Sequence, residues 1–157
     1  MLSALRILSK VSPTPFRRFF SKDLLPKKVN LKTSFRQISE PWDPRVAANV
    51  NDFQVKLARM EGEFVWHSHD HEDEVFMVTE GTMRMQFRNG DVDVHPGELI
   101  TVPAGIEHCP MSLTEHCNVV LFEPAETLNT GNFDDDTYIH ERSKEGITLT
   151  KKNLKDI

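Results

Sequence analysis

Residues 62–81 read GEFVWHSHDHEDEVFMVTEG, and both the fold and the chemistry of the chain turn on this stretch. In a strand, residues i and i+2 point to the same side. Taken as strand Phe64–His69, the segment aims the imidazoles of His67 and His69 into one space. Glu74 opens the next strand after a tight turn and swings a carboxylate back toward that space. His71 stands two residues from His69 and competes as a ligand. Glu72 and Asp73 are expected to face solvent near the turn, or to accept a hydrogen bond from a ligating histidine and so fix its tautomer.

Working outward, Phe53 to Pro124 reads as short strands divided by Gly, Pro, Asn and Asp. The predicted strands are Phe53–Met60, Phe64–His69, Glu74–Thr79, Thr82–Arg88, Asp91–His95, Leu99–Pro103, His108–Ser112 and Cys117–Glu123. Asn89-Gly90 is a strong hairpin signal. Glu80-Gly81, Pro96-Gly97 and Ala104-Gly105 mark other turns. Met83, Met85 and Phe87 alternate with polar neighbours, so they are expected to line an apolar interior. Many short strands at near-regular spacing indicate an all-β sandwich or barrel. One short helix is expected at Ser34–Glu40. A closed barrel would carry His108, which opens a later strand, across to His67, His69 and Glu74.

Three imidazoles and one carboxylate suit a divalent iron, manganese, nickel, copper or zinc ion. Structural zinc sites more often use thiolates in a closed tetrahedron. Octahedral coordination by four protein ligands leaves two positions for water, substrate or dioxygen, which metal-assisted chemistry needs. Cys109 follows His108 on the same strand, so it should face the other way. His95, His116 and His140 read as surface residues. Phe64 and Trp66 also alternate away from His67, onto an outer face where large aromatics need cover. A homodimer interface is the expected cover, with a packed N-terminal segment as the alternative.

Two spacings resemble the motifs of the cupin superfamily. In the first, Gly62 precedes the His67-x-His69 pair, Glu74 follows after four residues and Gly81 after six more, with Gly62 one residue closer than usual. In the second, Gly97, Pro103, Gly105 and His108 stand at the family's intervals, and Ser112 replaces a final asparagine. That asparagine is not usually a metal ligand. The resemblance covers about half of the chain. It implies a single jelly-roll β-barrel over residues 51–125, holding one metal ion with His67, His69, Glu74 and His108. It also implies a metal-dependent enzyme, most readily an iron- or manganese-dependent oxygenase acting on a small organic acid or phenol. A non-catalytic module that binds or senses a small ligand, and a metal-dependent isomerase or decarboxylase, are the alternatives.

Charge divides the chain of 157 residues, whose formal net charge is −5. Residues 1–32 carry eight basic groups and one acid, Asp23, whereas the remainder carries 11 basic and 23 acidic groups. The acidic body argues against nucleic acid as a partner, and no run of about 18 apolar residues offers a membrane span. Residues 1–22 lack acids, contain serines, and place Leu2, Leu5, Leu8 and Val11 on one helical face. This composition fits a transit peptide over residues 1–20, with the mitochondrial matrix as destination and plastid or cytoplasm as alternatives. Residues 21–50 read as an N-terminal extension. Residues 126–157 read as a C-terminal surface extension with partial order. The two cysteines, Cys109 and Cys117, flank a predicted turn and read as free thiols, with a cross-strand bridge as the alternative.

Overall fold

A computed structural model describes residues 27–132 and the backbone of 152–153. The expected transit peptide and most of the C-terminal extension, including His140, lie outside the described residues. The elements run α1 (Leu31–Phe35), β1 (Arg45–Val50), β2 (Phe53–Met60), β3 (Glu74–Glu80), β4 (Met83–Phe87), β5 (Gly90–Val94), β6 (Leu99–Val102), β7 (His108–Ser112), β8 (Cys117–Pro124) and β9 (Lys152–Asn153). Two sheets form, one of six strands in the order β6-β3-β8-β2-β1-β9 and one of three in the order β5-β4-β7. Every pairing among the described residues is antiparallel except β1 with β9. This is the all-β jelly-roll expected from the sequence.

Alternation explains which residues meet between the sheets. Ala58 and Met60 of β2, Phe76 and Val78 of β3, and Val119 and Leu121 of β8 face Met83 and Met85 of β4. Trp42, before β1, closes the same core. On the other face of the six-stranded sheet, α1 seats Phe35 beside Ile38 and Leu57. Full burial of a leucine such as Leu57 contributes roughly 1.5–3 kcal/mol.

Three local expectations need correction. The helix lies at Leu31–Phe35 rather than Ser34–Glu40, because Asn30 caps it: its side chain accepts from the Thr33 amide at 3.1 Å. Strand β1 forms within the residues read as an extension; its register slips at Ala47, which blurs the alternation. Phe64–His69 is not a continuous strand. It is a loop touching β7 through isolated bridges, Glu63 with Met111 and His67 with His108.

The edge strand β5 is exposed along most of its length, and Arg84 of β4 grips Asp93 through two hydrogen bonds of 2.7 and 2.9 Å. Gly81 makes the β3–β4 turn with φ +78°, and a Cβ there would lie 2.4 Å from the His116 carbonyl oxygen and 2.6 Å from Thr114 Oγ1. Gly81→Ala is therefore expected to cost about 2 kcal/mol for the left-handed backbone, with more for displacing the β7–β8 turn. A fall in the urea midpoint, measured at unchanged slope, checks this.

Candidate metal centre

The loop Gly62–Asp73 and the strand starts converge where the two sheets meet. His67 exchanges both backbone hydrogen bonds with His108: His67 N donates to His108 O at 3.0 Å, and His108 N to His67 O at 2.9 Å. His69 is fixed by its carbonyl, which accepts from Gly105 N at 2.7 Å. Glu74 is the first residue of β3 and faces inward opposite Val102. His67, His69, Glu74 and His108 are all buried, and each offers a ligand atom within 4.8 Å of the others.

Tautomers follow from the backbone. His67 Nδ1 lies 3.0 Å from Val65 O, and His108 Nδ1 lies 2.9 Å from Ile106 O. A carbonyl only accepts, so each Nδ1 carries the hydrogen, and in the neutral ring the free lone pair is then on Nε2. His69 Nε2 and His108 Nε2 stand 3.1 and 3.2 Å from Glu74 Oε2. All three atoms are buried without a well-aligned hydrogen-bond partner. Buried polar atoms facing one another in this way are costly unless something lies between them. Donors bonded at about 2.1 Å to a common ion stand up to roughly 4 Å apart, so the set fits a divalent cation with little contraction.

The other residues singled out in the sequence fall elsewhere. His71 is exposed, and its amide is bonded by Glu72 Oε2 at 3.2 Å. Asp73 accepts from Ala104 N at 2.8 Å. Neither acid bonds to a histidine of the cluster; main-chain carbonyls hold the rings of His67 and His108. His95 is exposed and His116 half-buried. Cys109 and Cys117 are free and buried; burial is the main reason their thiols are pushed up to about 11 and 12.

Phe64 and Trp66 are covered by the chain itself: Phe64 turns inward and meets the N-terminal extension, the alternative cover, and Trp66 meets β4–β5. Phe64 stacks on Trp42 with ring centroids 4.8 Å apart and packs against the core. The Arg88 guanidinium sits 3.8 Å above the Trp66 ring, a cation–π contact, and also pairs with Glu107. These two aromatics therefore need no second copy to cover them.

Beside the cluster lies a cavity of about 40 Å³, walled by Trp42, Phe64, Phe76 and Leu121, with His67, Glu74, Glu123 and Asn129 as polar groups. Met83 and Met85 fill the core instead of lining this cavity. Lys56 and Glu123 were not foreseen. Both are buried, with Lys56 Nζ 2.5 Å from Glu123 Oε1 and 3.4 Å from Thr127 O. The signal for them was available: each is a charge on the inward face of a strand, in Gln54-x-Lys56-x-Ala58 and Val119-x-Leu121-x-Glu123. Burial, reinforced by the hydrogen bond and charge of Glu74, pushes the Glu123 carboxyl up to about 8 against the pull of Lys56. Burial also opposes ionisation of Glu74, but contacts with His108, His69 and Glu123 outweigh it and hold that carboxyl below its ordinary range.

These features define a jelly-roll protein with a buried three-histidine, one-carboxylate cluster. The sequence model of the family described as "Cupin domain" matches residues 53–123. An uncharacterized protein, YdbB of Bacillus subtilis, is 31% identical over 104 residues, 65% of this chain and 92% of that protein. The crystal structure of a cupin-2 domain containing protein from Shewanella frigidimarina is 44% identical, with a TM-score of 0.60 over 61% of this chain and 93% of that one. Protein NMB1881 of Neisseria meningitidis is 33% identical, with a TM-score of 0.58 over 62% and 99%. The chain belongs to the cupin family.

Burial first, and then the neighbouring His108, lower the His67 pKa from 6.5 to about 4. Below about pH 6.5 the unfolded chain takes up a proton that folded His67 refuses. The corresponding stability is complete above pH 6.5 and drains away down to pH 4, with a total of roughly 3 kcal/mol. Metal-free protein should show this loss in denaturant titrations across that range. His67→Gln should remove about one proton from the slope.

Proposed function

We propose that this chain is a metal-dependent enzyme, most readily an oxygenase acting on a small organic acid or phenol. The observation that carries the reading is the convergence of three buried imidazoles, two of them turned by Nδ1–carbonyl contacts, and one carboxylate oxygen on a point beside an apolar, aromatic-walled cavity. His67, His69, Glu74 and His108 would hold the ion, with iron or manganese favoured and zinc, nickel or copper as alternatives. When bound, such an ion supplies Lewis acidity and, for iron or manganese, redox chemistry at its open positions.

The chain's own groups have definable tasks. The carbonyls of Val65 and Ile106 keep two imidazoles in the ligating tautomer. Trp42, Phe64 and Phe76 exclude water and accept an apolar ligand body. Glu123, at the cavity wall and raised in pKa, is placed to hold a proton near a bound ligand, a state suited to general acid–base work close to neutral pH.

The small cavity favours a second reading, a non-catalytic metal-containing module that binds or senses a compact ligand. Protein purified without a polyhistidine tag is expected to contain close to one metal ion per chain. His108→Ala should weaken metal binding by more than the roughly 10–100-fold that loss of a supporting residue costs. Iron-loaded protein should consume oxygen with at least one member of a panel of small acids and phenols. Ligand binding with neither uptake nor product would favour the module, and metal-free protein that rejects every ion would end both readings.

The mitochondrial address and the homodimer stay within this proposal. The strand registers put Phe53, Val55, Val75, Met77, Leu99 and Phe122 on the outer face of the six-stranded sheet, and this apolar surface is offered to a second copy. Light scattering should report a dimer for the wild type and a monomer for Leu99→Glu.

A further inference from the structure

The chain does not leave the metal centre where the family match ends. After β8 it turns at Pro124–Thr127, where Thr127 N donates to Pro124 O at 3.1 Å, and again at Leu128–Gly131, where Gly131 N donates to Leu128 O at 2.9 Å. Thr127 and Thr130 are buried, so this is a packed strap and not the surface extension expected from its turn-rich sequence. Its near end is tied to the interior through Thr127 O and the Lys56 ammonium. Asn129 stands in the cavity wall.

The far end grips the residue between the two ligand histidines. Asn132 N donates to Ser68 O at 2.9 Å, and Asn132 Oδ1 accepts from Ser68 N at 3.1 Å. Both backbone groups of Ser68 thus go to one strap residue. Gly131 has φ +51°, and a Cβ there would lie 2.1 Å from Ser68 O and 3.1 Å from His69 Cε1. The strap lies so close to the loop that only glycine fits. Within His67-Ser68-His69, the histidines are held by His108 and Gly105, which belong to the barrel, whereas Ser68 is held by the strap.

We infer that Gly131 and Asn132 are positioning residues of the metal centre, and that closure of the Thr127–Asn132 strap is linked to binding of the divalent cation. The inference rests on the metal reading proposed above. Metal donors must be placed to within a few tenths of an ångström, and loosening Ser68 frees the backbone torsions that aim His67 and His69. An ion that prefers the closed arrangement must stabilise closure by the factor through which closure tightens the ion. Closure also brings Asn129 to the cavity, so the same segment completes the ligand's surroundings.

The test uses the full chain with Mn²⁺ as probe, read by titration calorimetry and by amide hydrogen exchange. In the wild type, saturating Mn²⁺ should slow exchange at Ser68, Gly131 and Asn132 by at least about tenfold. Asn132→Ala and Gly131→Ala should each weaken Mn²⁺ binding by roughly tenfold, the lower range for a supporting residue. Ile38→Ala, which loosens the fold away from the site, should leave the affinity within about twofold. If Gly131→Ala does not fold, Asn132→Ala carries the test, because it removes one acceptor and adds nothing. Strap amides indifferent to Mn²⁺, or Asn132→Ala binding it as the wild type does, would overturn the inference while leaving the metal reading intact. A wild type that binds no Mn²⁺ or other divalent ion would overturn both.

Discussion

The reciprocal pair of main-chain hydrogen bonds between His67 and His108 is the constraint on which the rest depends. It joins two residues far apart in sequence and sets their rings 4.3 Å apart, centroid to centroid. His108 opens β7 in the three-stranded sheet, and Glu74 opens β3 in the six-stranded sheet. The cluster therefore sits across the junction of the two layers, with two members at strand starts and two in the loop that bridges to β7. The carbonyls that fix the tautomers belong to the residue two before each histidine, so the same local backbone places each ring and prepares its free nitrogen.

Behind the cluster, the interior carries an unusual charge arrangement for so small a domain. Lys56, Glu123 and Glu74 are all buried within one barrel. Removing such groups from water is costly unless their charges are matched. With Lys56 charged, Glu74 ionised and a proton retained on Glu123, the interior balances without help. The lysine tied to Thr127 carries the same network to the segment that covers the loop.

Much of this was legible in the sequence. The strands Phe53–Met60 and His108–Ser112 were read to the residue, and the turns at Asn89-Gly90 and Pro96-Gly97 were marked by their residues. The cluster of His67, His69, Glu74 and His108 was legible because period-two spacing and the family's intervals converged on it. What stayed hidden came from contacts between distant segments. Phe64–His69 looks like a strand by composition, yet it has only isolated bridges, so Phe64 turns inward to Trp42. Trp42 takes φ +58°, which no local pattern would suggest for a tryptophan. Strand β1 was missed because its alternation is interrupted at Ala47. Gly131 and Asn132 look like ordinary turn residues until the His67–His69 loop is seen to pass beside them.

The exposed strand β5 has a consequence for life in a crowded compartment. An uncovered sheet edge offers unpaired amides and carbonyls to any neighbouring chain, and this is how ordered aggregates grow. Here the outward side chains of that edge are Asp91 and Asp93, with Asp93 held in place by Arg84. Two molecules approaching edge to edge would bring like carboxylates together, and Gly90 at the strand's start adds no side chain to an intermolecular zipper. Among the described residues, one side of the barrel is thus open without inviting runaway polymerisation.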